Sequence, residues 1–279
     1  MEWTAEAEEA LKRVPFFVRR RVRARVEEET AAEGKQRVTL AEVRSAQARY
    51  LSGQAAEIKG WQLETCFGPG GCPQRALATE RLVGRLERVL QAARLYDFLR
   101  REVKGGLKFH HEFRVAVADC PNACSQPQIR DVGIIGACVP EATAEPCSQC
   151  GACREACPEQ AIRLAAEVGR PPATDLARCL HCGLCIRRCP TGTLAEGWSG
   201  YRVLLGGRLG RHPRLAFELP GIFEEDRVVE ILQECLELYK RRSRGGERFA
   251  RIFDEADFAA WARRFCGENA AEGADRRKG

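Results

Sequence analysis

The sequence predicts an α+β fold in which helices flank a sheet and a cysteine-rich insertion interrupts the chain. Apolar residues recur at helical spacing from about Thr79 to Val103, which predicts one long amphipathic helix. Alternating runs at 113–118 and 131–136 are typical of strands. Two equivalent cysteine runs, which end 32 positions apart at Cys157 and Cys189, indicate an internal repeat.

The composition is that of a globular protein able to bury a core. Of 279 residues, 44% are hydrophobic and 30% are charged, with a net charge of +6. No apolar run approaches the roughly 18 residues that span a bilayer, so we expect no membrane span. The acidic N-terminus has no hydrophobic secretion segment, and we expect a cytoplasmic protein.

The first 50 residues predict a small helical module. Thr4 is a candidate N-cap, and residues 39–42 have the pattern of a capping box. The arginine run from Arg19 to Arg25 is interpreted as a solvated helix face, because no base-reading motif accompanies it. We therefore expect no nucleic-acid partner.

Fifteen cysteines in a chain without a secretion signal favour metal ligation over disulfides. Eight of them form two C-x2-C-x2-C-x3-C-P runs, the spacing of two-cluster ferredoxins, in which the fourth cysteine of each run ligates the other cluster. A zinc ribbon, by contrast, shows paired CxxC knuckles. The rule predicts two [4Fe–4S] clusters, held by Cys147, Cys150, Cys153 and Cys189, and by Cys157, Cys179, Cys182 and Cys185.

A second cysteine set lies upstream, in the patterns C-x5-C and C-x3-C. Its members are Cys66, Cys72, Cys120 and Cys124. Four thiolates suit a third [4Fe–4S] cluster, and their chemistry alone also allows zinc.

The stretch from Asp119 to Ile134, which contains CPNAC and DVGI, resembles the signature of the sulfite/nitrite reductase family. The resemblance is greatest to anaerobic and dissimilatory sulfite reductase subunits, which carry an inserted two-cluster ferredoxin. It implies that the upstream cysteines hold a [4Fe–4S] cluster and that Cys124 bridges this cluster to the iron of sirohaem. The implied fold is a sirohaem-reductase-like α/β core that contains the ferredoxin insertion.

The same resemblance suggests anion-binding residues. The segment 200–214 is similar to the family's glycine-rich basic segment, and arginines there would neutralise sirohaem carboxylates or substrate oxygens. An ordinary basic loop is the alternative. The implied cofactor-binding residues are Cys124, Gly206, Gly207, Arg208, Arg211 and Arg214, and the implied catalytic residues are Lys108, Arg114, Arg208 and Arg211.

Two further features qualify this resemblance. Trp3 and the segment 14–23 resemble the small C-terminal helical domain of a light-independent protochlorophyllide reductase subunit. Asp119 stands where the family usually has glycine, and an acidic side chain beside an anion site is unfavourable unless it points away. The family's usual N-terminal half-domain is absent or replaced by the helical module, so we expect a complete sirohaem pocket to need a second subunit or a second copy.

These observations predict an enzyme, an iron–sulfur oxidoreductase that passes electrons to a [4Fe–4S]–sirohaem centre for reduction of sulfite or nitrite. The alternative is a three-cluster electron-transfer subunit without sirohaem. An electron-donor protein and an oligomer or complex are the expected partners. The expected domains are a helical module at 1–50, a divided core at 51–143 and 194–266, a ferredoxin domain at 144–193 and a polar tail at 267–279.

Overall fold

Helices and sheets both build the computed structural model, which describes residues 1–14 and 16–266 and falls into two units. The first unit contains residues 1–58 and 106–108, and the second contains 59–105 and the chain from 109 onward. The α+β fold class is confirmed. The tail expected at 267–279 lies outside the described residues.

The first unit packs three helices beside a two-stranded parallel sheet. As expected, the Thr4 hydroxyl accepts from the Ala7 N–H, and the capping box at Thr39 and Glu42 is formed. Ala7, Val26 and Val38 are its buried centre. Its elements are β1 (Glu2–Trp3), α1 (Ala5–Lys12), α2 (Phe16–Ala32), β2 (Arg37–Val38) and α3 (Leu40–Glu57).

The second unit alternates strands with helices around one larger sheet. None of its helices, nor any other among the described residues, is long and apolar enough to cross a membrane. Its elements are β3 (Trp61–Thr65), α4 (Glu80–Ala92), α5 (Leu95–Glu102), β4 (Phe113–Ala118), β5 (Val132–Ala142), α6 (Ala152–Glu155), β6 (Ile162–Arg163), β7 (Ala173–Thr174), α7 (Leu184–Arg188), β8 (Leu194–Leu205), β9 (Phe217–Glu218), α8 (Glu225–Arg242), α9 (Phe249–Ile252) and α10 (Glu255–Cys266).

The larger sheet has the order β3-β4-β5-β8-β9. β3, β4 and β5 run parallel, whereas β8 is antiparallel to both β5 and β9. The long β5–β8 pairing brings Val132 opposite Leu205 and Ala142 opposite Leu194. The cysteine repeat is therefore an insertion at the tip of a hairpin.

Aromatic rings extend the core from the sheet to the last helix. Phe113 of β4 lies with its ring centroid 5.3 Å from that of Tyr239 and 5.5 Å from that of Phe249. The series continues through Phe253 to Trp261. These edge and offset contacts add to the burial of apolar area.

The prediction of a single helix from Thr79 to Val103 is wrong in one respect, because the structure has two helices there, α4 and α5. Arg94 adopts a left-handed conformation at φ 49° between α4 and α5. The start of α5 then lies directly against Gly60, where an added Cβ would come within 2.5 Å of the Tyr96 nitrogen. The break between α4 and α5 thus accompanies close packing of the start of α5 on Gly60, the residue before β3.

Asp131 anchors the sheet to α9, and its loss should be costly. Its carboxylate is 1% exposed and accepts from the Arg114 N–H at 2.9 Å and from Arg248 Nη2 at 3.0 Å. Because Asp131→Ala leaves the Arg248 charge without this partner, we expect a loss of about 3–5 kcal/mol in the free energy of unfolding.

The matched control is Asp226→Ala, which removes a carboxylate that is 85% exposed and paired with Arg85. We expect a loss below about 1 kcal/mol there. Urea unfolding under anaerobic conditions measures both, and equal losses would contradict the anchoring role.

Candidate metal centres and anion-binding residues

Two parallel strands bring the upstream cysteines together. Cys66 follows β3 and Cys120 lies just beyond β4, so both leave the sheet at the same edge. The Cys66 N–H donates to the Val117 carbonyl at 3.1 Å, which extends the β3–β4 ladder by one residue. Burial raises the pKa of the Cys120 thiol, and the nearby thiolates of the other three cysteines raise it further. We call Cys66, Cys72, Cys120 and Cys124 the core quartet.

Backbone N–H groups point at one sulfur of the core quartet. The Gly68 N–H donates to Cys66 Sγ at 3.4 Å, and the Asp119 N–H donates at 3.3 Å. Hydrogen bonds to ligand sulfurs tune the reduction potential of an iron–sulfur cluster. Cys124 is exposed, so its sulfur is accessible to a further ligand.

The fourth cysteine of each run lies near a cysteine of the other run. Burial raises the pKa of the Cys153 thiol, with further contributions from Cys189 and Cys147. Burial also raises the pKa of Cys185 to about 12, with contributions from Cys179, Cys182 and Cys157. We call Cys147, Cys150, Cys153 and Cys189 the first ferredoxin quartet, and Cys157, Cys179, Cys182 and Cys185 the second ferredoxin quartet.

The backbone repeats in the same way around both runs. Gln149 and His181 hold left-handed conformations at φ 56° and 58°. Their N–H groups donate to Cys147 Sγ and Cys179 Sγ, each at 3.4 Å. This pseudo-symmetry gives the first sulfur of each run the same backbone donor. Among the described residues, no group of three or more His, Cys, Asp or Glu side chains is arranged to hold a single metal ion.

The second ferredoxin quartet adjoins the core. Its four cysteines line a cavity of about 160 Å³ together with Pro121 and Asn122, which lie between Cys120 and Cys124 in sequence. The Cys138 N–H donates to the His181 carbonyl at 2.7 Å, and Arg187 Nη1 donates to the Arg75 carbonyl at 2.9 Å. In the first ferredoxin quartet, Cys150 is exposed.

The three remaining cysteines are Cys138, Cys235 and Cys266. Cys235 is fully buried in α8, as expected for a structural thiol, and this burial raises its pKa well above the ordinary value. Cys138 is 4% exposed on β5, beside the second ferredoxin quartet. Cys266 is partly buried at the end of α10.

Asp119 points into the protein. Its side chain is 1% exposed, Arg75 Nε lies 2.6 Å from Oδ2, and the Thr79 hydroxyl donates to Oδ1 at 2.7 Å. A Cβ on Gly68 would overlap its carboxylate, so glycine at that position makes the room. Its negative charge is therefore paired inside the fold.

Arg114 lies at the opposite end of β4 from Cys120. Six residues of strand separate them, about 20 Å at about 3.3 Å per residue. Burial lowers the pKa of Arg114, and the neighbouring Arg248 and Arg130 lower it further. The structure thus groups Arg114 with two other guanidinium groups, rather than beside the cysteine at the end of its own strand. Lys108 falls in the short segment that belongs to the first unit.

The basic loop after β8 reaches that same end of the sheet. The Gly206 N–H donates to the Asp131 carbonyl and the Gly207 N–H to the Arg130 carbonyl, each at 2.8 Å. A Cβ on Gly207 would overlap the Gln128 carbonyl. Gly206 and Gly207 therefore allow close backbone packing. Their N–H groups are already hydrogen-bonded to backbone carbonyls of the protein.

The arginines of the basic loop differ in how far they are hydrogen-bonded to the protein. Arg214 donates to the carbonyls of Gly206, Ala250 and Phe253. Arg208 donates to the carbonyls of His212 and Ala250. Arg211 is exposed, and Gly210 beside it has open space around its Cα.

Arg130 and Arg248 carry no motif that marks them in the sequence as anion-binding residues. In the part of the chain that the structure describes, the buried Nε atoms of Arg114, Arg130 and Arg248 have no hydrogen-bond partner. Arg130 also pairs with Glu64, and Arg248 pairs with Asp131. Buried donors are normally satisfied, so the Nε atoms of the three arginines fit an additional anionic group. The only signal in the sequence was the position of Arg130 beside Asp131 in the CPNAC-to-DVGI stretch.

Comparison with known families supports both resemblances. The family profile described as "Nitrite and sulphite reductase 4Fe-4S domain" matches residues 58–271. A second profile, described as "Proto-chlorophyllide reductase 57 kD subunit", matches residues 3–47. The two resemblances expected from the sequence are confirmed.

Two curated relatives carry names from sulfite reduction. The chain is 30% identical over 138 residues to the coenzyme F420-dependent sulfite reductase of Methanocaldococcus jannaschii, which covers 50% of this chain and 22% of that protein. It is 27% identical over 201 residues to one of the subunits of the anaerobic sulfite reductase of Salmonella typhimurium, which covers 71% of this chain and 53% of that protein. The chain thus spans about half or less of the length of these relatives.

Solved structures show weaker likeness. Dissimilatory sulfite reductase I aligns with a TM-score of 0.49 at 17% identity, over 76% of this chain and 53% of that chain. The NirA protein of Mycobacterium tuberculosis aligns with a TM-score of 0.37 at 17% identity, over 79% of this chain and 31% of that chain.

The family assignment rests on the first profile, which matches more than half of the chain. The chain belongs to the nitrite and sulphite reductase 4Fe-4S domain family.

Proposed function

We propose that this chain is an iron–sulfur oxidoreductase subunit that reduces sulfite or nitrite at a [4Fe–4S]–sirohaem centre. The observation that carries the proposal is that the four cysteines of the second ferredoxin quartet line one cavity with Pro121 and Asn122, from the loop between Cys120 and Cys124. The family membership and the names of the two relatives support the same class of reaction.

The residues fit the groups that this function requires. Each quartet supplies thiolates with backbone N–H donors on at least one sulfur, the donor set of a [4Fe–4S] cluster. Cys124 is the proposed thiolate shared with sirohaem. When bound, the clusters supply one-electron carriers, and sirohaem supplies the iron at which the oxyanion accepts six electrons.

The arrangement suggests a direction for the electrons. Cys150 exposes the first ferredoxin quartet to a donor protein, whereas the second ferredoxin quartet lies against Pro121 and Asn122. Electrons from a donor would therefore enter at the first quartet and leave through the second toward the core quartet.

The grouped arginines suggest where negative charge is held. Arg114, Arg130 and Arg248 offer buried donors at the end of the sheet to which the basic loop also reaches. The separation of Arg114 from Cys120, roughly 20 Å along an extended chain, suits the carboxylates at the edge of a macrocycle better than an oxyanion at its iron. Exposed Arg211 remains a candidate for the substrate. Since the chain covers about half of its relative from the Salmonella anaerobic enzyme, itself one subunit of several, we propose that it acts within a larger complex.

Anaerobic purification with sirohaem supplied during expression tests the proposal. We expect about 13 irons per chain, from four per cluster and one per sirohaem, and a Soret band with a sirohaem α band. Reduction of sulfite or nitrite by a reduced dye would then be measured. About 12 irons without tetrapyrrole would contradict the reductase and leave the three-cluster electron-transfer subunit.

Arg130→Gln should weaken sirohaem binding while it preserves the clusters. Charge-assisted hydrogen bonds contribute about 1.5–3 kcal/mol, so we expect roughly a tenfold or greater rise in the dissociation constant. Titration of sirohaem into the cluster-loaded protein, followed by absorption, measures it.

The matched control is Arg241→Gln, which changes an exposed arginine in the last turn of α8. We expect no change in its dissociation constant. If both variants bind sirohaem as tightly as the unchanged protein, the carboxylates of sirohaem contact residues other than Arg130.

A further inference from the structure

We propose that the ion pair between buried Asp119 and partly exposed Arg75 positions the loop at 66–79 around the core quartet and sets the reduction potential of the cluster held there. The inference rests on the core cluster of the proposed function and does not depend on sirohaem. It assigns a role to the residue that stands where the family usually has glycine.

Asp119 contacts the loop at 66–79 with both its backbone and its side chain. Its N–H donates to Cys66 Sγ at 3.3 Å, and its carbonyl accepts from Ala76 and Leu77 at 3.0 and 3.1 Å. Its carboxylate accepts from the Thr79 hydroxyl and pairs with Arg75. Asp119, the residue before Cys120, thus contacts the segment that carries Cys66 and Cys72 at several points and holds it in place.

The glycine at position 68 makes this contact possible. A Cβ there would overlap the Asp119 carboxylate, so the loop lies directly on the buried acid. Thr79 is fully buried, and the carboxylate is shielded from water. A charge in such a site is screened little and acts strongly on its surroundings.

Arg75 extends the same network toward the second ferredoxin quartet. Its Nη2 pairs with Glu80 at 2.5 Å, and its backbone carbonyl accepts from Arg187 Nη1 at 2.9 Å. Arg187 Nη1 also lies 3.4 Å from the Cys182 carbonyl. The backbone of Arg75 is thus linked to the segment that carries the second ferredoxin quartet, whereas its guanidinium pairs with Asp119, the residue before Cys120. A change in the charge of the pair is therefore expected to act mainly on the cluster at the core quartet.

The charges predict opposite effects for the two partners. Adding an electron makes a cluster more negative, so removal of a nearby anion raises the reduction potential and removal of a nearby cation lowers it. At an effective dielectric of about 20, a unit charge roughly 10 Å from the cluster changes the ratio of reduced to oxidised cluster by about tenfold. A purely structural role would not produce opposite signs.

Redox titration followed by EPR, on the anaerobically purified full chain, tests the inference. At the midpoint of the unchanged core cluster, we expect Asp119→Asn to raise the reduced-to-oxidised ratio by about tenfold and Arg75→Gln to lower it by about tenfold. The double variant should lie within about twofold of the unchanged protein, since both charges are gone. The signal of the first ferredoxin quartet serves as the internal reference and should stay fixed.

Asp97→Asn is the matched control, because Asp97 forms an exposed ion pair with Arg94, with the two side chains 50% and 79% exposed. It should leave all three signals unchanged. If Asp119→Asn loses four irons while the ferredoxin signals stay intact, the positioning role is supported. The effect on the reduction potential is then tested by comparing Arg75→Gln with the unchanged protein. Shifts of the same sign in both variants, or none, would overturn the inference. Failure to bind sirohaem would contradict the reductase alone.

Discussion

The convergence of thiolates from two segments about fifty residues apart is the constraint on which the second unit depends. The parallel pairing of β3 with β4 brings these two segments together, since Thr65 lies opposite Val117 and the chain leaves both strands at one edge of the sheet. Cys66 continues the ladder by one hydrogen bond before it turns toward Cys120. A slip of one residue in this register would turn the following side chains to the other face of the sheet and separate the core quartet.

The ferredoxin repeat is placed by the same sheet. It fills the connection between β5 and β8, whose long antiparallel pairing ends at Ala142 and Leu194. Because both strands belong to the core, the insertion is held by contacts such as Cys138 with His181 and Arg187 with Arg75. The cysteine repeat and the core quartet thereby belong to one unit.

Local spacing carried most of the information that the sequence could provide. Cysteine intervals predict each run, and Cys153 and Cys185 each have the fourth cysteine of the other run as a neighbour, whereas the exchange of ligands between clusters stays a prediction. The break at Arg94 was missed because no glycine or proline marks it. Arg248 was missed because it meets Asp131 across 117 positions, and the inward turn of Asp119 depends on Arg75 and on the room above Gly68. Contacts between distant segments leave no periodic pattern.

Three compact groups of iron atoms, one at each cysteine quartet, are the central claim. Anomalous diffraction at the iron absorption edge, from crystals of anaerobically purified protein, tests it directly. The account predicts iron at the core quartet, at the first ferredoxin quartet and at the second ferredoxin quartet, with the second lying nearer the core than the first. A core quartet that holds zinc, or no metal after reconstitution with iron and sulfide, would contradict it.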